Sequence, residues 1–511
     1  MSNWTAGYVA DIGYTYGYYS ELNPQRLKLP FLASGQVLPE VKTACELGFG
    51  QGMSIAIHAA ASQVTWYGTD FNPAQASFAR EITAAAGADA SVFDESFEEF
   101  CLRPDLPEFD YIGLHGIWSW INDQNRRVIT DFLRRKLKIG GVLYISYNTQ
   151  PGWAPMVPMR ELLSSHIDVM GASGQGIINR IDAALDFAER LFAAEPLYTK
   201  INSQVVERVK RMKEQSRHYL AHEYFNQDWH PMSFNRLSEW LSAAKLDFTC
   251  SAHYTDHVDA VNLSNDQQVL LQELSDVTFR QSVRDFICNT QFRRDYWVKG
   301  GRQLGAFERG EQLRAQRVML ASESASVEFK VGGARGEATL NENVYRPILN
   351  LLADYKPRSL GQIEHEMKNE GLVFAQVLQA VMILAGKGDL GLVQEDIIIN
   401  KAKRATDKLN LNLLNKSRSS NDIAYLASPI TGGGISVNRF QQLFLLARNQ
   451  GIKHPQEWAK FVWQHLEVMN QRLTKEGKNL STPEENIAEL MRQAIEFSEK
   501  RLPILKALQI V

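Results

Sequence analysis

The sequence has few cysteines, no long apolar run and almost no excess of charge of either sign. Its four cysteines show no C-x-x-C spacing, so neither a disulfide framework nor a metal site is predicted. The first residues contain no basic and apolar leader, and about 18 consecutive apolar residues occur nowhere, so we predict no membrane insertion and a cytoplasmic location. Lysine and arginine number 55 against 58 aspartate and glutamate, a balance that provides no overall attraction to nucleic acid.

What the sequence does contain is the length and composition of a multidomain globular protein. Hydrophobic residues make up 44% of its 511 residues and charged residues 22%, as in ordinary globular domains. Over 41–147, short β-like segments alternate with amphipathic helical ones, which predicts an α/β fold with a doubly wound parallel sheet. We divide the chain into a sheet core (1–154), a helical cap (155–245), closing strands (246–305), a winged-helix-like domain (306–400) and a helical C-terminal domain (401–511).

Three local expectations concern the segments between these units. The β-like segments 246–253 and 259–263 are predicted to form a hairpin that closes the sheet. Residues 300–315 and 331–336 are predicted to be linkers or turns around a strand over 326–331, because glycine marks the ends of elements there. The polar and basic residues 400–421 are predicted to form a linker.

The most informative motif is an acidic residue followed by alternating glycines, ACELGFGQG at 44–52. A dinucleotide fingerprint has the spacing G-x-G-x-x-G, which places a helix N-terminus against a pyrophosphate. In this motif the third glycine comes one residue earlier, and Glu46 lies at the end of the predicted first strand. Negative charge at that point favours a cationic ligand over a diphosphate.

Polar residues also follow the next two predicted strands. Asp70 follows Glu46 by 24 residues, where a carboxylate can accept hydrogen bonds from both hydroxyls of a ribose. Ser96 and Phe97 follow the third strand and are candidates for the adenine contact. Together these positions predict S-adenosylmethionine as cofactor, with its positive charges near Glu46. Capping or surface ion pairing is the alternative role of the two carboxylates, and turn formation or core packing that of Ser96 and Phe97.

These residues resemble motif I of the class I methyltransferases. Four longer strings are similar to methyltransferases that carry a methyltransferase regulatory domain, and among them to rickettsial-type protein lysine methyltransferases: YTYGYY (14–19), LHGIWSW (114–120), SYNTQPGW (146–153) and HEYFN (222–226). The resemblance covers roughly the first 300 residues and implies a Rossmann-like methyltransferase sheet, a protein lysine as acceptor and an N-terminal arm over the cofactor. Ser96 departs from the family, because many members have aspartate there. The predicted cofactor-binding residues are Tyr14, Glu46, Gly48, Gly50, Gly52, Asp70, Phe71, Ser96, Phe97 and His115.

Candidate catalytic residues follow from what methyl transfer requires. The reaction is an in-line displacement, so the protein must align the reactants, exclude water and, for an amine, remove a proton. His115 ends the predicted fourth strand, and Tyr147 with Asn148 ends the fifth, all at the cofactor edge. Glu223, on a cap helix, is the predicted proton acceptor, with water as the alternative.

Aromatic residues near this edge are candidates for binding the acceptor. Trp118 and Trp120 could form a slot that guides an alkylamine by cation–π contact, although packing of the loop against the cap explains them equally well. The predicted substrate residues are Trp118, Trp120, Tyr16, His222 and Tyr224. For the N-terminal tyrosines the alternative is an edge strand or turn, and for His222 it is a structural role in the cap.

Two other functions stay open from the sequence. One is methylation of a small molecule or sugar precursor, and the other is a non-catalytic module that senses S-adenosylmethionine. Acidic residues offset the few basic ones of the winged-helix-like unit, so no nucleic-acid partner is predicted. We expect a protein substrate and possible self-association into a homodimer.

Overall fold

The computed structural model describes residues 13–172 and 174–511. Within these residues the largest sheet contains seven strands: β1 (Thr43–Leu47), β2 (Thr65–Thr69), β3 (Ala90–Phe93), β4 (Phe109–Leu114), β5 (Leu137–Asn148), β6 (Leu246–Ser251) and β7 (Phe292–Lys299). Their order is β3-β2-β1-β4-β5-β7-β6. Strands β1 to β5 pair in parallel, and β7 runs antiparallel to both β5 and β6. The predicted Rossmann-like α/β sheet is confirmed.

Helices cover both faces of this sheet. The helices of this region are α1 (Lys28–Ala33), α2 (Met53–Ala61), α3 (Pro73–Ala86), α4 (Phe97–Leu102) and α5 (Asp123–Lys136). Successive residues of a strand point to opposite faces. Accordingly, Ala44 belongs to the hydrophobic cluster that includes Ile55 of α2, whereas Cys45 belongs to the cluster that includes Phe132 of α5. The central strands of the sheet are therefore covered on both faces.

A helical cap follows β5 in the chain. It contains α6 (Val157–Met170), α7 (Ile177–Ala193), α8 (Leu197–Ile201), α9 (Ser203–Glu214) and α10 (Arg217–Tyr224). These helices have a hydrophobic cluster of their own, built around Leu163, Leu185 and Val209. The next helix, α11 (Phe234–Ser242), instead buries Phe234 and Leu237 in the cluster on the sheet.

The closing strands differ from the prediction. Residues 259–263 do not form a strand, because they contain α12 (Asp259–Asn262). This helix is followed by α13 (Asn265–Glu273) and α14 (Val277–Cys288). The partner of β6 is β7, whose charged residues Arg293 and Asp295 neutralise each other inside the protein.

The next unit, predicted to be winged-helix-like, has four helices and a three-stranded sheet. The sheet has the order β11-β8-β12, and a separate hairpin pairs β9 with β10. Contrary to the prediction, 300–315 contains a helix, α15, and the strand predicted at 326–331 occurs later, as β9. The elements are α15 (Ala306–Ala315), β8 (Arg317–Leu320), β9 (Lys330–Gly333), β10 (Gly336–Thr339), α16 (Glu342–Leu352), β11 (Arg358–Ser359), α17 (Leu360–Met367), α18 (Phe374–Lys387) and β12 (Leu390–Leu392).

The C-terminal region begins with a long helix where a linker was predicted. That prediction is wrong because apolar residues recur at helical spacing through 396–416, and Ala402, Leu409 and Leu413 are buried. The elements are α19 (Asp396–Lys416), β13 (Tyr425–Ser428), β14 (Gly433–Ser436), α20 (Arg439–Asn449), α21 (Pro455–Val468), β15 (Thr474–Lys475), β16 (Lys478–Asn479), α22 (Pro483–Glu496) and, after a π-helical turn, α23 (Leu502–Ala507).

The C-terminal helices share one hydrophobic cluster with the sheet core. The cluster joins Met53, Ile57 and Ala60 of α2 and Ile82 of α3 to residues of α19, α20, α21, α22 and α23. Polar contacts reinforce this junction: the Gln394 side-chain amide donates to the carbonyl oxygen of Ala61, at 2.7 Å. Helix α2 therefore lies between the sheet and the C-terminal region, with every residue buried.

Between residues 13 and 511, apart from position 173, no single helix is long and apolar enough to cross a membrane. One pair, Leu360–Glu370 and Phe374–Lys387, satisfies the criterion only when both helices are counted together, and it is bent by 119°.

Candidate active site

A cavity of about 320 Å³ lies where β1, β2, β3 and β4 end. Its walls come from these strand ends, from the N-terminal segment and from the cap. It is lined by many of the residues that the sequence predicts for cofactor and acceptor, namely Tyr14, Glu46, Gly48, Gly50, Asp70, Phe71, Ser96, Phe97, His115, Trp120, His222 and Glu223. The carboxyl edge of the sheet thus brings together residues as distant in the chain as Tyr14 and Glu223.

The glycines after β1 leave room at the bottom of this cavity. Gly48 has φ = 73°, and a Cβ atom there would lie 2.4 Å from Ile117 Cδ1, so a larger residue does not fit. Gly50 donates its backbone N–H to Asp70 Oδ2 at 2.9 Å. Gly52 does not line the cavity, contrary to its predicted cofactor role: it precedes α2, and a Cβ atom there would collide with Ala79 of α3.

Two buried carboxylates lie at the ends of β1 and β2. Glu46 is 2% exposed, and among the described residues its Oε2 atom has no hydrogen-bond partner. Burial, together with the negative charge of Asp70, raises the pKa of Glu46 to about 8. Burial also raises the pKa of Asp70 to about 6, although backbone N–H groups of Asn72 and Gly50 oppose this shift. A cation in the cavity would stabilise both carboxylates.

At the end of β3, Ser96 lines the cavity and also has a structural role. Ser96 caps α4: its hydroxyl donates to Glu99 Oε2 at 2.8 Å and accepts from the backbone N–H of Glu99. The neighbouring Glu95 binds Arg103 through Oε1, at 2.5 Å, and its buried Oε2 has no hydrogen-bond partner within the described chain. Glu95, which also lines the cavity, is therefore better placed than Ser96 to accept a hydrogen bond from a ligand.

His115 lines the cavity as a neutral imidazole. Its Nδ1 atom lies 2.8 Å from the hydroxyl of Tyr144, and its ring stacks on Tyr19 with 3.8 Å between centroids. Burial lowers the pKa of His115 to about 4. An imidazole with so low a pKa orients other groups better than it accepts a proton.

The cap contributes a titratable carboxyl group on α10. Burial raises the pKa of Glu223 to about 7, which suits a general base at neutral pH. The adjacent His222 is buried, and its ring meets the Tyr14 ring edge-on at 5.1 Å. Both residues line the cavity.

Tyr147 and Asn148, predicted to be catalytic, are not among the residues that line the cavity. Tyr147 is fully buried, and its hydroxyl donates to Asp295 Oδ2 at 3.2 Å. The backbone N–H of Asn148 donates to Ser119 Oγ, and its carbonyl oxygen accepts from the N–H of Met232. Tyr147 thus connects β5 to β7, and Asn148 connects it to Ser119 and Met232.

Three predicted substrate residues also lie outside the cavity. Trp118 is fully buried, and its indole N–H donates to Met232 Sδ. Tyr224 belongs to the cap core, where its ring meets Trp153 edge-on. Tyr16 packs against Phe78 of α3, with 5.0 Å between ring centroids. Of the predicted aromatic slot, Trp120 is the member that lines the cavity.

The sequence prediction missed several acidic residues of the wall. The cavity is lined by six carboxylates, and no lysine or arginine occurs among its described lining residues; the carboxylates are Glu46, Asp70, Glu95, Glu98, Glu223 and Asp228. The signal that could have found two of them is DESFEE at 94–99, directly after β3. Tyr19 was missed as well, although it belongs to the tyrosine-rich string. Among the described residues, no group of three or more His, Cys, Asp or Glu is arranged to hold a metal ion.

Comparisons with known proteins agree with this fold. A family model described as "Predicted methyltransferase regulatory domain" matches residues 216–299, which include Glu223 and both closing strands. The uncharacterized protein sll1526 of Synechocystis is 41% identical to this chain over 99% of both sequences. The uncharacterized protein RP789 of Rickettsia prowazekii is 25% identical over 54% of this chain and 49% of its own length.

A solved structure shows the same architecture throughout. It is the structure of PKMT2 from Rickettsia typhi in complex with AdoHcy, which covers 98% of this chain and 100% of its own, with a TM-score of 0.70 at 16% sequence identity. A likeness at this identity is evidence for the fold. The chain therefore belongs to the same family as sll1526, its residues 216–299 match the methyltransferase regulatory domain, and its fold is that of the PKMT2 structure.

Proposed function

We propose that the protein transfers a methyl group from S-adenosylmethionine to the side chain of a protein lysine. The observation that carries this proposal is the acidic cavity at the carboxyl edge of a methyltransferase sheet, with six carboxylates and no described lysine or arginine in its lining. A phosphorylated cofactor or acceptor would be repelled there, whereas a sulfonium, an ammonium or an amine would be attracted.

The residues of the cavity fit this cofactor. Glu46, whose Oε2 atom has no hydrogen-bond partner in the part of the chain that the structure describes, would bind the amino group. Asp70 uses one hydrogen bond on each oxygen for backbone N–H groups, so lone pairs remain for the two ribose hydroxyls. Glu95 and the apolar side chains of Phe97 and Ile117 would hold the adenine. When bound, the cofactor supplies an electrophilic methyl group on a positively charged sulfur.

The acceptor amine must arrive neutral, because only a free lone pair can attack carbon. Asp228 and Trp120, which line the same cavity as Glu223, would attract a lysine ammonium by charge and by cation–π contact. Glu223 would then accept its proton, since a carboxylate with a pKa of about 7 is available as a base at neutral pH. His115, neutral and fixed by Tyr144 and Tyr19, would position the amine.

The acceptor class is tested by labelling. Purified protein would be incubated with heavy-methyl S-adenosylmethionine and a cell lysate, and the products separated by size before mass spectrometry. We expect label in polypeptides, on lysine. A second lysate, whose lysines have been acetylated chemically beforehand, is the matched control and should accept little label, because an amide nitrogen does not attack the methyl group.

The other two functions give different results in the same experiment. Label confined to the small-molecule fraction would identify a small-molecule methyltransferase. Binding of S-adenosylhomocysteine in a calorimeter without any labelled product would identify a sensor. Either result contradicts the proposal.

A further inference from the structure

The N-terminal arm, residues 13–23, connects the cavity to the C-terminal region of the protein. Its tyrosines separate into two sets. Tyr14 and Tyr19 line the cavity, whereas Tyr16 and Tyr18 pack against the hydrophobic cluster that α2 and α3 share with the C-terminal helices. The arm therefore has one side on the proposed cofactor site and the other on a remote domain.

Tyr18 is enclosed by both the sheet core and the C-terminal region. Its hydroxyl lies 3.1 Å from Nε2 of His58, on α2. Its ring lies 5.2 Å from the ring of Tyr425, on β13. On β14, a Cβ atom at Gly433 would lie 2.5 Å from the Tyr18 hydroxyl, and one at Gly434 would lie 3.1 Å from three ring carbons. The two glycines of β14 thus form the surface on which the Tyr18 ring rests.

Further hydrogen bonds fix the arm on each side of Tyr18. The Asn23 side chain donates to the carbonyl oxygen of Thr431, in the turn between β13 and β14. Next to Tyr18, the backbone N–H of Tyr19 donates to Ser54 Oγ of α2, at 2.9 Å. Closer to the start of the arm, the Gln51 side chain donates to the carbonyl oxygen of Tyr14.

We infer that the β13–β14 hairpin of the C-terminal region is a positioning element for methyl transfer, and that Tyr18 is the positioning residue through which it acts. The inference rests on the proposed function. Tyr18 and Tyr19 are neighbours, so a displaced Tyr18 carries Tyr19 away from its 3.8 Å stacking contact with His115. Tyr14, whose carbonyl oxygen is held by Gln51, belongs to the same wall. The C-terminal region would thereby control the shape of a site to which its own residues contribute no lining atom among those described.

The test changes the hairpin and the arm separately. Tyr18→Ala removes the side chain that holds the arm against β14. Gly434→Val leaves the sequence of the arm unchanged but displaces the Tyr18 ring. Gly434→Ala is a milder substitution should the valine variant fail to fold. We expect the Kd of S-adenosylhomocysteine and the KM of S-adenosylmethionine to rise roughly 10- to 100-fold, because a misplacement of about 1 Å can cost about 10²-fold. Tyr18→Phe, which keeps the ring, should restore most of the affinity.

Two controls separate positioning from stability. Ser436→Ala changes an exposed residue of the same strand and should have no effect. Asn486→Ala removes buried hydrogen bonds at Leu473 and Leu480, elsewhere in the C-terminal region, so it should lower the Tm and leave the Kd unchanged.

The outcomes distinguish this inference from the proposed function. If the wild-type protein binds no S-adenosylhomocysteine, the proposed function fails. If the wild type binds and Tyr18→Ala and Gly434→Val bind equally well, with losses of Tm like that of Asn486→Ala, the proposed function stands and the positioning inference is wrong.

Discussion

At the scale of single residues, Glu46 is the cavity carboxyl group whose ionised form is most clearly destabilised by its surroundings. Its pKa lies at about 8 in the folded chain, against an ordinary value of 4.5. Between these values the folded state holds a proton that the unfolded state releases. The free energy of unfolding of the ligand-free protein should therefore fall, through this group, as pH rises through that window.

This proton gives the first prediction, on the pH dependence of binding. S-adenosylhomocysteine carries an ammonium group that pairs with ionised Glu46, so binding should release the proton. We expect its affinity to rise between about pH 6 and pH 8, by at most about tenfold per pH unit, the slope for one linked proton. Calorimetry across this range measures it. Glu46→Gln should bind more weakly and with a flatter pH profile; an unchanged slope would contradict the assignment.

Glu223 gives the second prediction, on the rate of methyl transfer. Glu223→Gln keeps the shape of the side chain but cannot accept a proton, so kcat should fall by roughly 10²- to 10⁴-fold. The wild-type rate should fall as pH decreases through about 7, because Glu223 becomes protonated there, and the variant should lack this limb. Affinity for S-adenosylhomocysteine serves as the control and should change little. A variant of wild-type rate would remove Glu223 from the mechanism.

Residue by residue, the sequence was most informative where spacing and chemistry coincide. Glu46, Gly48 and Gly50 were predicted from one motif, because the turn after the first strand of such a sheet has strict backbone requirements, and Asp70 from its place after the next strand. Tyr147 and Trp118 were misplaced because sequence shows that a residue is near a strand end but not which side it faces. Ser96 lines the cavity as predicted and also caps α4, the alternative role that the sequence left open.

At the scale of elements, β7 shows how the sheet is completed by charged residues. Arg293, 7% exposed, pairs with Asp285 on α14 and with Asp295 on its own strand, each at 2.8 Å. Tyr147 on β5 donates to the same Asp295. Burial raises the pKa of both aspartates, so their charges depend on the guanidinium. The sequence prediction missed β7 because charged residues rarely indicate a buried strand unless their pairing is known.

The third prediction follows from this buried group of charges. Arg293→Met leaves two buried carboxylates without a cation and should lower the free energy of unfolding by about 3 to 5 kcal/mol. Urea unfolding at neutral pH measures the loss. The loss should shrink at low pH, where the carboxyl groups become protonated and neutral. A comparison variant that also carries Asp285→Leu and Asp295→Leu should recover stability; if it does not, lost packing rather than charge explains the effect.

At the scale of the whole molecule, one hydrophobic cluster is shared by the sheet core and the C-terminal region. The division of the chain into five domains stays a prediction, and this cluster extends across it from α2 to α23. The sequence showed that both regions have apolar helix faces. It could not show that these faces meet, since hydrophobic periodicity identifies a buried face but not its partner.

The fourth prediction concerns cooperativity. Leu413 is fully buried in α19 within this cluster, so Leu413→Ala should cost about 2 to 5 kcal/mol. Urea unfolding should show one transition, with the same midpoint whether the signal comes from the sheet or the C-terminal helices. Single-tryptophan variants that retain either Trp66 or Trp458 provide the two signals. A separate, unshifted transition for Trp66 would show that the two regions unfold independently.

The burial of α2 also has a consequence for the order of events during synthesis. This helix leaves the ribosome early, yet the side chains that cover its outer surface are translated hundreds of residues later. Domains that fold on the ribosome usually do so with contacts already synthesised. In the nascent chain, α2 therefore stays uncovered until the C-terminal helices have been synthesised. Truncated translation products will expose this hydrophobic surface, which chaperones or proteases can recognise. The complete fold will form only in nearly full-length chains.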